Sequence, residues 1–463
     1  MKRAKENRRV WILLSALILS ATVGHWYSAY HLYNPNLNRP MQLSGDEIVY
    51  IALGDRLIRE GKYNTKGLEQ TLPFDRKRVQ VPVYLEAPLF KHPPLYPFMV
   101  GLSRFLLRGV PGASFLPSLL MGAVSLLGLF WLARELGFTP LQSLLSVLLL
   151  AVSPIHWICS SRVWLDATLM TFIVLAIAAQ LRAQKNPKWW IWMGVFWGCA
   201  FLTKYTAFAA WLFVFGASVL VDQSLLKKRR FWQGHAIALA LFLPWLICRF
   251  WFEGTAVVVF WKSNIEDWKS VTQRMRLLWV LPFTVALGSI WIWCSRRKWY
   301  SEGMGSPWIL VLGTFAFLFM ALSIEELNFR TIPWSGWGRN ELCVSGRNFY
   351  LSRQILFEPI CWWGLLGLLA VPSEFKWTVI RAAWIGLFVF LTCWGNFQSR
   401  YALPLLPFEH LLAIGFLIPL FKHAKGKEAR LTRVLIVGWV LYSCARSLWI
   451  VNGMAINNQF FYF

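Results

Sequence analysis

The sequence predicts an all-α integral membrane protein with about 13 transmembrane helices. Of its 463 residues, 57% are hydrophobic and only 15% are charged, whereas soluble domains carry about 25% charged residues. Apolar runs recur along the whole chain and are separated by short polar or basic segments. The 8 cysteines form no C-x-x-C pair and lie mostly inside these runs, which is typical of small core residues rather than of disulfides or a zinc site.

The net charge of +25 is the third observation that bears on class. In a soluble protein such a charge would indicate nucleic acid as the partner. In a chain this apolar it fits cytoplasmic loops that face anionic lipid headgroups, or a phosphorylated substrate. We therefore expect membrane lipids as partners, and no nucleic acid.

The first predicted span is the apolar run at residues 10–30, which follows a basic segment that ends at Arg9. This run is longer than a signal-peptide core and has no small-residue cleavage site, so we predict a retained span with a cytoplasmic N-terminus. A polar loop at 34–112 follows. Within it, the segment 94–107 contains Arg104 and is too short to cross a bilayer, so we predict that it lies in the membrane interface.

A short amphipathic helix is predicted to begin near Ser44 in that loop. Its apolar positions share one helical face; they are Tyr50, Ile51, Gly54, Leu57 and Ile58. Ser44 and Glu47 have the spacing of a capping box, which places Asp46 in the first turn. Two interpretations stay open here: the two acids only start the helix, or they take a proton from a substrate at the membrane surface.

The remaining predicted spans are placed by hydropathy and tested by charge. They lie near 113–133, 139–159, 165–181, 189–203, 205–221, 232–251, 276–295, 306–323, 354–371, 379–396, 402–421 and 433–451. If 94–107 does not span, every compact basic cluster falls in a cytoplasmic loop. The runs at 165–181 and 189–203 are short, so we expect one of them to be broken or re-entrant.

The chain is predicted to form a single membrane-embedded domain over residues 1–463, because no Gly/Ser-rich or Pro-rich linker divides it. Its exterior loops are expected at 34–112 and 324–353, with no separate soluble domain. The 324–353 loop carries several charged residues, and we expect it to help choose the second substrate, because loops commonly carry recognition.

The exterior side of this topology brings together polar residues at the ends of several spans. They are Asp46, Glu47, Glu86, Lys91, His92, Arg162, Asp166, Lys204, Tyr205, Arg400 and Tyr401. Charges at such depth are costly without a partner. Plainer interpretations are an i,i+4 ion pair for Arg162 with Asp166, snorkelling for Lys204 and Arg400, and an aromatic belt for Tyr401.

Five sequence blocks carry a family resemblance when they are taken in order. They are Asp46-Glu47, Phe-Lys-His-Pro-Pro-Leu-Tyr-Pro at 90–97, Arg162 with Asp166, Phe-Leu-Thr-Lys at 201–204, and Arg-Tyr-x-Leu-Pro at 400–404. The chain resembles the GT-C glycosyltransferases of the dolichyl-phosphate-mannose protein mannosyltransferase and aminoarabinose transferase kind. The resemblance extends to about residue 220 and resumes at 395–410. Three departures stand out: His92 interrupts the lysine–proline sequence, the second half has no acceptor signature, and the soluble exterior domain of some relatives is absent.

The resemblance implies a GT-C fold and the transfer of a sugar, with inversion, from a polyprenyl-phosphate donor to an acceptor lipid, glycan or protein. We therefore expect the active site on the exterior face of a bacterial inner membrane. The acceptor hydroxyl needs a base, which we assign to Asp46 with Glu47 assisting. Asp166 is the second catalytic candidate, and Arg162 is expected to hold it in place.

The departing phosphate needs fixed cations and hydrogen-bond donors in a dry site. The predicted substrate-binding residues are Lys91, His92, Arg162, Lys204, Tyr205, Arg400 and Tyr401. No metal-ligand spacing such as H-E-x-x-H is present, and the first loop has no D-x-D. We therefore predict that no metal or other cofactor is required. A divalent cation between Asp46 and Asp166 is the alternative.

A competing class is a transporter or flippase that moves a polyprenyl-linked substrate without glycosyl transfer. That class predicts paired repeats and charged residues near the middle of the membrane, whereas the sequence has no visible repeat and its charges cluster at one face. A non-catalytic scaffold is a third interpretation, and the presence of both acidic and basic candidates disfavours it.

Overall fold

The protein is described here by a computed structural model. It describes residues 2–33, 45–65, 90, 92–110, 112–253, 310–318, 357–372, 374–394, 398–423 and 426–457. The regular structure in these residues is helical, which confirms the predicted fold class. Several predictions lie outside the described residues: those for Ser44, Glu86 and Lys91, for the span at 276–295 and for the loop at 324–353.

Fourteen helices in the described ranges are numbered in chain order. They are α1 (Lys2–Tyr33), α2 (Gly45–Glu60), α3 (Leu95–Leu106), α4 (Leu116–Glu135), α5 (Pro140–Val152), α6 (Pro154–Ser161), α7 (Asp166–Ala183), α8 (Trp189–Phe201), α9 (Ala207–Val221), α10 (Arg229–Glu253), α11 (Cys361–Ala370), α12 (Phe375–Trp394), α13 (Leu406–His423) and α14 (Gly426–Asn457). Short 3₁₀ helices cover Gln223–Lys227 and Ser399–Leu405. Residues 310–318 are also helical.

Six helices in the described part of the chain are long and apolar enough to cross a membrane, or seven if the bent pair α5–α6 is one span. The chain is therefore an integral membrane protein. Four further apolar helices are shorter, namely α3, α8, α9 and α11. Among the described residues, fewer helices than the predicted 13 or so are long and apolar enough to span a membrane. The 12-residue α3 agrees with the prediction that 94–107 does not span.

The broken span lies at a different place from the one predicted. We expected a broken or re-entrant segment in 165–181 or 189–203, but α7 and α8 are each unbroken helices. It is the run 139–159 that bends by 64° between α5 and α6. The cause is local: Pro154 has no N–H to continue the α5 hydrogen bonds. The Ser153 hydroxyl instead accepts a hydrogen bond from the His156 N–H at 3.2 Å and caps α6.

Helix α2 is fixed by its close crossing with α3. A Cβ added to Gly54 would lie 2.3 Å from the Pro97 carbonyl oxygen, and one added to Gly101 would lie 2.2 Å from the Gly54 carbonyl oxygen. The two backbones approach this closely because neither glycine has a side chain. An ion pair between Arg104 and Asp55, 2.9 Å from Nε to Oδ1, adds a second contact. This crossing sets the position of the first turn of α2.

Helix α7 connects the two ends of the bundle. Asp166 begins the helix and Arg182 lies in its last turn, a separation of about 24 Å at 1.5 Å per residue. At the Arg182 end, Glu135 accepts hydrogen bonds from Arg182 at 3.3 Å and from Lys185 at 3.1 Å. The candidate site at Asp166 and this basic end, which the charge rule predicts to be cytoplasmic, therefore lie at opposite ends of the bundle.

Candidate active site

Four separate segments place charged side chains at the Asp166 end of the bundle. Asp46 lies in the first turn of α2, and Asp166 is the first residue of α7. Lys204 follows α8 in the turn before α9, and Arg400 lies in the 3₁₀ helix before α13. Helix ends suit such groups, because acids at an N-terminus are stabilised by the helix dipole.

These four side chains form a string of alternating charge. The Arg400 Nη2 donates a hydrogen bond to Asp46 Oδ2, and the Arg400 Nε lies 3.9 Å from Asp166 Oδ2. The Lys204 Nζ donates to the other oxygen of Asp166, Oδ1, at 2.9 Å. The string therefore joins residues that the sequence analysis placed in four separate blocks, and we call it the charged string.

The two central side chains of the charged string are buried, and the two at its ends are partly exposed. The Asp166 and Arg400 side chains are 1% and 5% exposed, whereas those of Lys204 and Asp46 are 22% and 39% exposed. Arg400 is therefore buried and does not extend towards solvent. Lys204 forms an ion pair with the buried carboxylate of Asp166. Asp46 is therefore the more accessible of the two carboxylates.

Aromatic rings support the cations of the charged string. The Lys204 Nζ lies 3.8 Å from the centroid of the Tyr401 ring, and the Arg400 guanidinium lies 5.1 Å from that centroid and 4.6 Å from the centroid of Trp164. Such cation–π contacts stabilise a partly desolvated charge by about 0.5–2 kcal/mol. Tyr401 is thus part of the site rather than only of an aromatic belt.

A second, fully buried ion pair lies beside the string. The Arg162 Nε donates to Glu47 Oε1 at 3.1 Å, its Nη2 donates to Oε2, and the Val163 N–H donates to Oε1 at 3.2 Å. Both charged side chains are 0% exposed. Arg162 also lies 4.3 Å from the ring centroid of Trp164.

This pair corrects the prediction for Arg162. Arg162 was expected to hold Asp166, or to pair with it at i,i+4 spacing, but it binds Glu47. The reason is that Arg162 has extended backbone angles of φ −117° and ψ 163° between α6 and α7, so Arg162 and Asp166 do not share a helix. The capping box of Ser44 and Glu47 lies partly outside the described residues and stays a prediction.

His92 packs against α2 through an aromatic contact. The Tyr50 ring meets the His92 ring edge-on at 5.2 Å and the Tyr96 ring at 5.3 Å. The Tyr63 hydroxyl donates to the His92 carbonyl at 2.8 Å. His92 is close enough to Asp46 for its charge to act on that carboxylate.

The Tyr205 hydroxyl contacts the segment at residue 90 and helix α10. The hydroxyl donates to the Phe90 carbonyl at 2.7 Å and accepts from the Trp245 indole at 3.1 Å. Nearby, the Leu95 N–H donates to the Leu202 carbonyl at 2.9 Å. These bonds join the block at 90–97 to the block at 201–204, so the Tyr205 hydroxyl helps to hold the 90–97 block in place.

The pKa of Asp46 follows from these contacts. Burial raises the pKa, but the charge and hydrogen bond of Arg400, with smaller effects of His92 and Lys204, hold it below the usual value of 3.8. Asp46 is therefore ionised at neutral pH. Burial also raises the pKa of Tyr50 well above its usual range, so this neighbour stays neutral.

In this arrangement, the Asp46 carboxylate could accept a proton, and the Arg400 and Lys204 side chains could bind an anion. Arg400 lies between Asp46 and Asp166, so a divalent cation between these acids would require the guanidinium to move. Sequence reasoning missed one polar group elsewhere, formed by Glu358, Cys361 and His410. No motif could have indicated it, because Glu358 and Cys361 lie in a stretch that matches the resemblance only in its apolarity.

Comparison with known proteins supports the predicted family. Residues 91–248 match the family profile of dolichyl-phosphate-mannose-protein mannosyltransferases. Among curated protein sequences, none matches the chain. This family match confirms the resemblance and the prediction that the chain is a membrane glycosyltransferase.

Solved structures share the fold. ArnT from Cupriavidus metallidurans in the apo state aligns with a TM-score of 0.54 and 14% identity over 97% of this chain and 76% of that one. The same protein bound to undecaprenyl phosphate aligns at 0.52, with 15% identity and the same coverage. Archaeal oligosaccharyltransferase AglB from Archaeoglobus fulgidus, in complex with an inhibitory peptide and a dolichol-phosphate, aligns at 0.53 and 14% identity over 95% of this chain and 56% of that one. The GT-C fold is thus confirmed.

Proposed function

We propose that this membrane glycosyltransferase transfers a sugar, with inversion, from a polyprenyl-phosphate donor to an acceptor lipid, glycan or protein. The reaction takes place at the exterior face of a bacterial inner membrane, and the N-terminus is cytoplasmic. The charged string of Asp46, Arg400, Asp166 and Lys204 is the observation that carries this proposal. The undecaprenyl phosphate and dolichol-phosphate bound to the two proteins of similar fold support a lipid-linked donor.

Arg400 and Lys204 bind the donor phosphate in this proposal. Each is held by a carboxylate in the absence of donor, and a phosphate oxygen competes for the same N–H groups. The planar guanidinium of Arg400 suits two phosphate oxygens at once, and Lys204 adds a point charge. Negative charge grows on the phosphate as the sugar leaves, so the two cations stabilise the transition state more than the bound donor.

Asp46 acts as the general base. The acceptor hydroxyl oxygen attacks the anomeric carbon on the face opposite the phosphate. The new glycosidic bond forms as the carbon–phosphate-oxygen bond breaks, the electron pair of the broken bond stays on the phosphate, and Asp46 takes the hydroxyl proton. When the donor phosphate draws Arg400 away, the pKa of Asp46 rises, which makes the carboxylate a stronger base.

The other predicted residues support these three. Asp166, almost fully buried, orients Lys204 and Arg400. Glu47 is a positioning residue: its oxygens are bound by Arg162 and Val163, and it fixes the first turn of α2. His92, beside Tyr50, contacts the sugar or the phosphate in this proposal.

The proposal is tested with the protein reconstituted in lipid vesicles and a radiolabelled polyprenyl-phosphate sugar. Asp46→Asn is expected to lower sugar transfer by about 10²–10⁴-fold while donor binding is kept. Glu60→Gln, on the same helix and 43% exposed, is the matched control and should keep normal turnover. Near-normal turnover of Asp46→Asn would remove the base assignment. Donor that crosses the membrane without any release of label from the lipid would instead support a carrier.

A further inference from the structure

A buried polar cluster lies between α11, α13 and the bend that joins α5 to α6. It contains Glu358, Cys361 and His410, whose relative exposures are 1%, 0% and 0%. The His410 Nε2 lies 3.0 Å from Glu358 Oε2, and the Ser153 hydroxyl donates to Glu358 Oε1. The catalytic scheme above uses none of these residues.

The three side chains bring together ligand atoms of the kinds that zinc prefers. One carboxylate oxygen, the thiol sulfur and one imidazole nitrogen all lie within 4.8 Å of one another. Tetrahedral zinc binds such atoms at about 2.0–2.3 Å, which puts them about 3.3–3.8 Å apart. Side-chain shifts of about 1 Å would therefore close the group around an ion.

The backbone holds these ligands in fixed positions. Glu358 and Cys361 are one turn apart, since the Cys361 N–H donates to the Glu358 carbonyl at 2.9 Å. Helix α11 then packs directly on α13: a Cβ on Gly364 would lie 2.5 Å from the Glu409 carbonyl oxygen, and one on Gly367 equally close to that of Leu412. His410 follows Glu409 in α13. The close contact between the two helices therefore keeps His410 beside the turn formed by Glu358 and Cys361.

Charge balance inside the apolar bundle favours a cation at this place. A buried carboxylate needs compensation, and within the described ranges the ion-pair partner of Glu358 is His410. The His410 Nδ1 is buried and has no hydrogen-bond partner among the described residues. A divalent cation would neutralise the Glu358 carboxylate and the Cys361 thiolate together, with His410 neutral.

We propose that Glu358, Cys361 and His410 form a buried structural site for Zn²⁺, beside the Ser153 hydroxyl that donates to Glu358. Thiolate and imidazole ligands select zinc over the hard cations magnesium and calcium. The ion ties α11 and α13 to the α5–α6 bend. Because that bend leads through α6 to the Arg162 segment, the site stabilises the scaffold of the active site without touching its substrates.

The first test is the metal content of the protein purified with a histidine-free tag from zinc-supplemented cells. About one zinc per chain is expected for the natural sequence. Cys361→Ser and His410→Gln should each lose most of it. Cys444→Ser and His235→Gln, which alter one cysteine and one histidine outside the cluster, should retain it. Zinc retained in both cluster variants would overturn the proposal.

The second test uses the unaltered protein, so it can be read even if a cluster variant fails to fold. Zinc is replaced by Co²⁺ in the unaltered protein, and a thiolate-to-cobalt charge-transfer band is expected in the near ultraviolet. Removing metal with a chelator should lower the Tm of the unaltered protein and of Cys444→Ser alike. A protein that carries no zinc and gives no cobalt band would overturn the proposal, whatever the glycosyltransferase assay shows.

Discussion

Asp46 and Arg400 are 354 positions apart in the chain and form an ion pair in the folded protein. The pair joins the first turn of α2 to the 3₁₀ helix that precedes α13. Its consequence is electrostatic: the guanidinium that we propose for the donor phosphate also sets the pKa of the carboxylate that we propose as the base. Donor binding and base strength are therefore coupled through one side chain.

The coupling predicts a pH effect of Arg400→Gln. Without the guanidinium, burial still raises the pKa of Asp46 and the opposing attraction is weaker, so this pKa rises. The acidic limb of the transfer rate against pH should move to higher pH. The maximal rate should fall by about 10²–10³-fold, because a donor to the leaving phosphate is lost. An acidic limb at the same pH as in the unaltered enzyme would contradict the coupling.

The same pKa predicts a stability effect with a defined sign. A carboxyl group whose folded pKa is lowered stabilises the fold above its unfolded pKa, near 3.8 for Asp46, and that stability is lost as the pH falls through the folded value. Asp46→Asn should therefore reduce the dependence of Tm on pH below pH 4. Glu60→Gln is the control, and equal Tm–pH slopes for Asp46→Asn and the unaltered protein would count against the predicted shift.

Lys204→Met is expected to weaken donor use selectively. The substitution keeps the length of the side chain but removes the charge, and a charge-assisted hydrogen bond contributes about 1.5–3 kcal/mol. The KM for the polyprenyl-phosphate donor should rise about 10–150-fold, and the KM for the acceptor should change little. Lys185→Met, at the other end of the bundle, serves as control. Equal effects on both substrates would argue against a phosphate ligand.

Glu47→Gln is expected to destabilise the fold rather than to change only the chemical step. Arg162 would remain buried with a weaker partner, and breaking a buried ion pair costs about 3–5 kcal/mol. Combining Glu47→Gln with Arg162→Met should recover part of the lost Tm, because the orphaned charge is gone. A Glu47→Gln enzyme with unchanged Tm and a large loss in kcat would instead return Glu47 to the role of assisting base.

Gly101→Ala tests whether the α2–α3 crossing sets the position of Asp46. The added Cβ would lie 2.2 Å from the Gly54 carbonyl oxygen, so α2 must move, at a cost of about 1–3 kcal/mol. Transfer should fall by more than the loss of folded protein explains. Gly216→Ala is the matched control, since a Cβ there meets nothing within 4 Å. Equal activity of the two variants would separate the crossing from the site.

The sequence indicated the blocks of the site but not all of their pairings. The helical class, the short α3 and the grouping of Asp46, Lys204 and Arg400 at one end of the bundle followed from hydropathy and charge. The Glu47–Arg162 pair did not, because residue spacing implies contact only within one helix. Arg162 lies in an extended segment before α7 and faces α2 instead.

The other two differences have separate causes, one local and one in long-range packing. A short apolar run looks breakable by its length, yet the break occurs where Pro154 interrupts hydrogen bonding and Ser153 begins a new helix. The Glu358–His410 contact joins two helices whose sequences carry no shared motif. Such contacts depend on which helices become neighbours, and hydropathy alone does not determine that.

The most direct measurement is the structure of the reconstituted enzyme with a non-hydrolysable polyprenyl-phosphonate sugar bound. The account predicts phosphonate oxygens within hydrogen-bond distance of Arg400 and Lys204, and the Asp46 carboxylate facing the anomeric carbon from the side opposite the phosphonate. A phosphonate bound away from Arg400 and Lys204, or an anomeric carbon that Asp46 cannot approach, would contradict it.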